Sequence, residues 1–167
     1  MKGNWELRRS GPEDETFLWE MLFYASHSDY EEGVEPSDIR ADPLLVGYVE
    51  GWKLADCPGV IAGAKDGPIG AAWLRLHTES ERGNPVFVDP HVPEMAAAIL
   101  PGRQGEGIGT AMIESLLDLA RDRFGAVVLS VRANSPATGL YERLGFRKVG
   151  EITNRIGTQS VKMIVDL

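Results

Sequence analysis

Gln104-Gly105-Glu106-Gly107-Ile108-Gly109-Thr110 is the stretch on which the fold turns. Ahead of it stands Met95-Ala96-Ala97-Ala98-Ile99-Leu100, an all-apolar run short enough for a buried strand rather than a helix. Behind it Met112, Ile113, Leu116, Leu117, Ala120 and Phe124 recur at helical spacing, and Gly125 is a natural stop. The glycines therefore sit between a strand and the start of a helix. Small residues there let the backbone come close to a ligand. The free N–H groups and the helix dipole, about half a positive charge, make an anion site. The ligand part expected is a phosphate.

Two common phosphate loops do not fit. A Walker loop needs Gly-x4-Gly-Lys-Ser/Thr, and no lysine lies between Gly102 and Thr110. The dinucleotide fingerprint needs Gly-x-Gly-x-x-Gly, whereas the spacing here is Gly105-x-Gly107-x-Gly109. Further along, Val127-Val128-Leu129-Ser130-Val131 reads as a buried strand. Asn134-Ser135-Pro136-Ala137 follows, with cap residues ahead of a first-turn proline, opening a helix that runs to Leu144 and ends at Gly145. That helix carries Leu140-Tyr141-Glu142-Arg143-Leu144-Gly145-Phe146.

Gln-x-x-Gly-x-Gly at Gln104, Gly107 and Gly109 resembles the acetyl-CoA signature of the GNAT N-acetyltransferase family. Asn134 and the Leu-Tyr-x-x-x-Gly-Phe at Leu140–Phe146 resemble its second signature, in the right order. The likeness is sharp from Glu94 to Val149; before that only the order of elements agrees. It implies an α/β GNAT (acyl-CoA N-acyltransferase) fold, a mixed, mostly antiparallel central sheet of about seven strands flanked by about four helices. It also implies a single domain over residues 1–167 and transfer of an acetyl group from acetyl-CoA, as cosubstrate, to a primary amine by direct attack in a ternary complex.

The resemblance also assigns roles. Backbone groups of Ala98, Ile99 and Leu100 would bond the pantetheine arm, and a free N–H near Ala98 would receive the oxyanion. The loop from Gln104 through Gly105, Glu106, Gly107, Ile108 and Gly109 to Thr110 would cradle the pyrophosphate. Asn134 would bond the pantetheine and Ala137 would flank it. Tyr141 would protonate the departing thiolate, against the plainer role of a core tyrosine. Glu94, ten residues before Gln104, resembles a glutamate base that works through water; an ordinary strand-end carboxylate is the alternative. Asp89 and His91 are fallback bases on the preceding loop. Gln104 stands where Arg is commoner, and Glu106 adds a negative charge, so both weaken charge attraction for CoA; Arg103 nearby would compensate. A non-catalytic acetyl-CoA-binding module or sensor on the same fold is the rival reading.

The rest of the chain agrees with this frame. Trp5–Arg9 alternates as a strand, and Gly11-Pro12-Glu13-Asp14 opens a helix to about Ser26. His27 to Asp42 is polar and irregular, a loop or short helix, and a second helical segment is expected over Pro43 to Lys53. Gly59–Ala64 and Ile69–Leu76 form a hairpin about Asp66-Gly67, followed by a loop from Thr78 to Pro93. Val149–Arg155 and Val161–Asp166 close as strands. Tyr24, His27, Tyr30, Glu31, Glu35 and Trp52 are candidates to line the acceptor pocket.

The net charge of −8 disfavours a nucleic-acid partner. Hydrophobic residues at 43% with no long apolar run argue against a membrane partner and, without a signal peptide, for a cytoplasmic location. The lone Cys57 excludes an internal disulfide and a cysteine cluster, and no metal is expected. Many members of the family dimerise, so a homodimer is a further expectation.

Overall fold

The computed structural model describes residues 3–26, 31–50, 57–77 and 84–167. Its strands are β1 (Trp5–Arg9), β2 (Gly59–Ala64), β3 (Gly67–Arg75), β4 (Glu94–Ile99), β5 (Ala126–Arg132), β6 (Arg147–Thr153) and β7 (Gln159–Asp166). Its α-helices are α1 (Glu15–Ala25), α2 (Ile108–Ala120) and α3 (Ala137–Arg143). The seven strands form a sheet in the order β1-β2-β3-β4-β5-β7-β6. Antiparallel pairing joins β1 to β2, β2 to β3, β5 to β7 and β6 to β7, whereas β4 pairs with β5 in parallel. This is the mixed, mostly antiparallel sheet expected from the sequence.

The chain divides into two compact units, Met1–Leu74 with Ala96–Leu116, and Arg75–Met95 with Leu117–Leu167. In the first, Leu18, Met21 and Leu22 of α1 pack with Ile39, Val49, Ile61, Ala71 and Trp73. Trp73 is wholly buried, and its indole N–H donates to the Tyr48 carbonyl at 3.0 Å, so the one polar atom of the ring is satisfied. Met112, Ile113 and Leu116 are buried on the face of α2 that the helical spacing predicts, and Ile108 is buried with them. A Cβ on Gly70 would come within 3.2 Å of the Ala98 carbonyl and the Met112 sulfur, which explains a glycine inside a buried strand.

In the second unit β7 lies between β5 and β6. Val127, Val128, Leu129, Met163 and Val165 are buried there together with Phe146. Lys162 of β7 donates to the carbonyls of Pro85 and Phe87 at 3.1 and 3.2 Å, tying the segment before β4 to the sheet.

In place of the helix expected over Pro43 to Lys53, the described residues form a 3-10 turn at Val46–Tyr48, and a 3-10 segment at Pro36–Ala41 lies in the stretch expected to be a loop or short helix; the Lys53 end lies outside the described residues. The cause is local. Asp42 is extended ahead of Pro43, and its carboxylate accepts the Leu44 N–H at 2.9 Å. That side-chain bond competes with the helical ladder, and Gly47 weakens the ladder further.

Candidate functional site

The glycine stretch belongs to the first unit. Gly105 and Gly107 have φ of 83° and 79°, the left-handed region that favours glycine. α2 begins at Ile108, immediately after Gly107, and its first helical bond runs from the Ala111 N–H to the Gly107 carbonyl at 3.2 Å. The N–H groups of Ile108, Gly109 and Thr110 therefore stand ahead of any intrahelical acceptor. A Cβ built on either Gly105 or Gly107 meets nothing within 4 Å, so open space adjoins the turn. The loop is stitched by Gln104, whose side-chain oxygen accepts the Gly102 N–H at 3.0 Å, leaving its amide nitrogen as the donor end.

Charge at this loop is arranged differently from the sequence expectation. The Arg103 guanidinium bonds the Glu106 carboxylate at 2.8 and 3.4 Å. The two side chains neutralise one another. With Lys65 they border an open cleft of about 410 Å³.

β4 supplies backbone rather than side-chain chemistry. The Leu100 N–H donates to the Ile69 carbonyl of β3 at 2.8 Å, and the Leu100 carbonyl accepts from Arg103 at 3.2 Å. Along a strand, successive residues turn their N–H and C=O to opposite edges. Ala98 therefore faces β3 with Leu100, while Ile99 presents its groups on the other edge. Pro93 has the same parity as Ile99, and its carbonyl accepts the Val128 N–H at 3.0 Å. Of the three backbone positions named from the sequence, Ile99 is the one whose groups are turned away from β3.

In the second unit, Tyr141 lies on α3, half-buried, its ring edge-on to Phe146 with centroids 5.8 Å apart. Burial pushes its phenol above the ordinary tyrosine range, so the hydroxyl stays protonated and able to donate at neutral pH. Asn134 is exposed in the turn before α3. The Ser135 hydroxyl accepts the Ala137 N–H at 3.2 Å, and Thr138 donates back to the Ser135 carbonyl at 3.1 Å, so Ala137 is fixed by its own turn.

Glu94 is no solvated strand-end carboxylate. It is 3% exposed and lies 2.7 Å from the Nε2 of His77, itself 3% exposed. The Nδ1 of His77 is in turn 2.9 Å from the guanidinium of Arg75. The sequence reading missed His77 and Arg75. A signal existed: both follow the apolar stretch of β3 at alternate positions, which puts them on one face if the strand continues. The fallback bases lack such surroundings. Asp89 accepts the His91 N–H at 2.7 Å in an exposed turn, and the His91 side chain is exposed.

Cys57 is buried, as suits a packing thiol. Among the acceptor-lining candidates, Tyr24 packs edge-on against Phe23 at 5.2 Å and Glu35 precedes the 3-10 segment at Pro36–Ala41. Glu31 is half-buried, while His27, Tyr30 and Trp52 lie outside the described residues. Among the described residues, no group of three His, Cys, Asp or Glu is disposed to hold a metal ion, and no helix is long and apolar enough to cross a membrane.

The sequence pattern of the Acetyltransferase (GNAT) family matches residues 13–146. The chain is 47% identical over 51 residues to the N-alpha-acetyltransferase RimI of Mycobacterium tuberculosis, a stretch that is 30% of this chain and 31% of that protein. The match thus spans about a third of the relative's length. A ribosomal-protein-alanine N-acetyltransferase from Brucella melitensis superposes with a TM-score of 0.70 at 18% identity, covering 97% of this chain and 99% of the other. The yncA protein of Salmonella typhimurium, solved with acetyl-CoA, superposes with a TM-score of 0.71 at 17% identity, covering 99% and 95%. At such identities the likeness is one of fold.

Proposed function

The chain belongs to the acetyltransferase (GNAT) family, and from that premise we propose that it transfers the acetyl group of acetyl-CoA to a primary amine by direct attack in a ternary complex. The observation that carries this reading is the start of α2 directly after a left-handed Gly107, with the N–H groups of Ile108, Gly109 and Thr110 ahead of the first helical bond. That cluster of donors suits the pyrophosphate of CoA. Acetyl-CoA bound to the yncA protein supports the same ligand.

In the proposed reaction Glu94 takes a proton, through water, from the ammonium form of the acceptor. The freed amine nitrogen attacks the thioester carbonyl and forms a C–N bond, and the carbonyl π electrons move onto oxygen. A backbone N–H of β4 stabilises that oxyanion. Its collapse breaks the C–S bond, and the thiolate takes the proton of the Tyr141 hydroxyl. The nitrogen then sheds its second proton, and Tyr141 recovers one from solvent. The net change is acetyl-CoA plus an ammonium giving an amide, free CoA and one proton. Asn134 and the outward groups of Ile99 hold the pantetheine arm in this scheme.

Calorimetric titration with acetyl-CoA, followed by release of free thiol with spermidine, an aminoglycoside and an alanine-terminated peptide, tests the proposal. Binding with amine-dependent thiol release is the expected result. Tight binding with no release across the panel would favour a sensor on the same fold. No binding at millimolar acetyl-CoA would overturn both.

A further inference from the structure

We propose that His77 is a positioning residue for Glu94, held by Arg75 as the neutral Nε2–H tautomer so that it donates to the carboxylate and takes no part in carrying the proton. The inference rests on the reading of Glu94 as the base.

The hydrogen-bond inventory decides the tautomer. A guanidinium has donors and no acceptor. Arg75, 2.9 Å from Nδ1, must therefore donate to it, and Nδ1 must offer its lone pair. A neutral imidazole with Nδ1 unprotonated carries its proton on Nε2. Nε2 lies 2.7 Å from Glu94 Oε1, so that contact is an N–H donated to a carboxylate. Glu94 is thereby fixed as the acceptor of that bond.

Packing holds the ring in this orientation. The side chains of His77 and Glu94 are 1% and 4% exposed. The ring of Phe87 stands edge-on to the imidazole, with centroids 6.4 Å apart. Phe87 is itself tied to β7 through its carbonyl and Lys162 at 3.2 Å. All five residues belong to the second unit.

The arrangement answers a difficulty of using a buried carboxylate as a base. A carboxyl group taken out of water needs a hydrogen bond in place of those it gave up. The His77 N–H supplies that bond. Its other nitrogen is capped by Arg75, so the ring has no vacant site for a proton leaving Glu94. A proton accepted by Glu94 must return to solvent by the route along which it came.

Two readouts test this. The first needs no turnover: nitrogen-15 NMR of the imidazoles in the wild-type protein and in His77→Gln, which assigns the His77 signals by their loss. A protonated Nε2 with an unprotonated Nδ1 at neutral pH is expected. The opposite tautomer, or a doubly protonated ring, would overturn the proposal. The second compares His77→Gln, whose amide N–H can replace the donor, with His77→Leu, which cannot. Both are checked for folding by thermal melting and for acetyl-CoA affinity by calorimetry. Loss of a hydrogen bond to a charged group predicts kcat/KM for the best panel amine about 10- to 100-fold lower in His77→Leu. His77→Gln should recover most of that loss, at unchanged acetyl-CoA affinity in both. Equal impairment of the two variants would reduce His77 to packing. Glu94→Gln separates the two layers. Wild-type turnover in that variant would remove Glu94 as the base, whatever tautomer His77 adopts.

Discussion

Replacing Gly107 by alanine separates a glycine kept for its backbone from one kept for a ligand. The residue sits at φ 79°, and a Cβ there meets nothing within 4 Å, so the folded protein loses only the conformational preference. That loss is about 1–2 kcal/mol for a residue with a Cβ in the left-handed region. For a protein of this length it lowers Tm by about 2–8 °C. Gly157 provides a matched control: its φ is 85°, its Cβ direction is equally open, and it lies in the turn between β6 and β7. Gly157→Ala should therefore cost the same in Tm. Acetyl-CoA affinity should part the two variants. A methyl at Gly107 that displaces one backbone donor from the pyrophosphate loses about 1.5–3 kcal/mol, or about 10- to 100-fold in Kd. Gly157→Ala should bind as the wild type does. The assay is calorimetric titration of each folded variant alongside its thermal melt. Equal Kd values in the two variants would refute the phosphate cradle and leave Gly107 as a helix-entry glycine.

Three further outcomes are expected. Glu106→Gln frees the Arg103 guanidinium that now lies 2.8 Å from the carboxylate; the pair is a third exposed, so acetyl-CoA should bind only about 2- to 5-fold tighter, with a steeper salt dependence in titrations from low to high ionic strength. Tyr141→Phe should lower kcat by about 100-fold or more while calorimetry finds acetyl-CoA affinity unchanged, since the ring still packs on Phe146 and only the donor is gone. Asp14, held below the ordinary carboxylate range by its bonds to Arg8 at 2.7 and 2.8 Å and to the Gly11 N–H, contributes stability that is present above the unfolded pKa of about 3.9 and is lost as pH falls through the lower folded value. Asp14→Asn should therefore cost about 1–2 kcal/mol in urea unfolding at pH 7, discounted for the half-exposed Arg8, and the gap to wild type should close in acid.

How much of this was readable in the sequence depended on the range of the interactions involved. The glycine loop, α2 and the Ser135–Pro136 entry to α3 are written in neighbouring residues, and periodicity and cap chemistry suffice to read them. A longer helix is expected over Pro43 to Lys53, where Leu45, Val46, Tyr48 and Val49 have helical spacing, but the described part forms only a 3-10 turn at Val46–Tyr48. The bond from Leu44 to Asp42 outweighs that pattern, and apolar periodicity carries no record of it. His77 escaped notice for another reason. Its partner Glu94 lies on the next strand, and only the pairing of distant segments discloses that both are buried. The edge toward which Ile99 turns its N–H was equally hidden, since it follows from the parity set by Leu100 and Ile69.

The position of β7 bears on how the chain reaches its folded state. β5 and β6 are both synthesised before β7, the strand that separates them, and each finds its antiparallel partner only there. Until residues 159–166 emerge, β5 and β6 expose backbone groups that the finished sheet pairs, and Val127 and Leu129 lack the neighbours that cover them. Until β7 is in place the unpaired edges of β5 and β6 invite association. β6 and β7 close as a local hairpin, whereas the pairing of β7 with β5 joins segments farther apart in the chain and is the slower kind of contact to form.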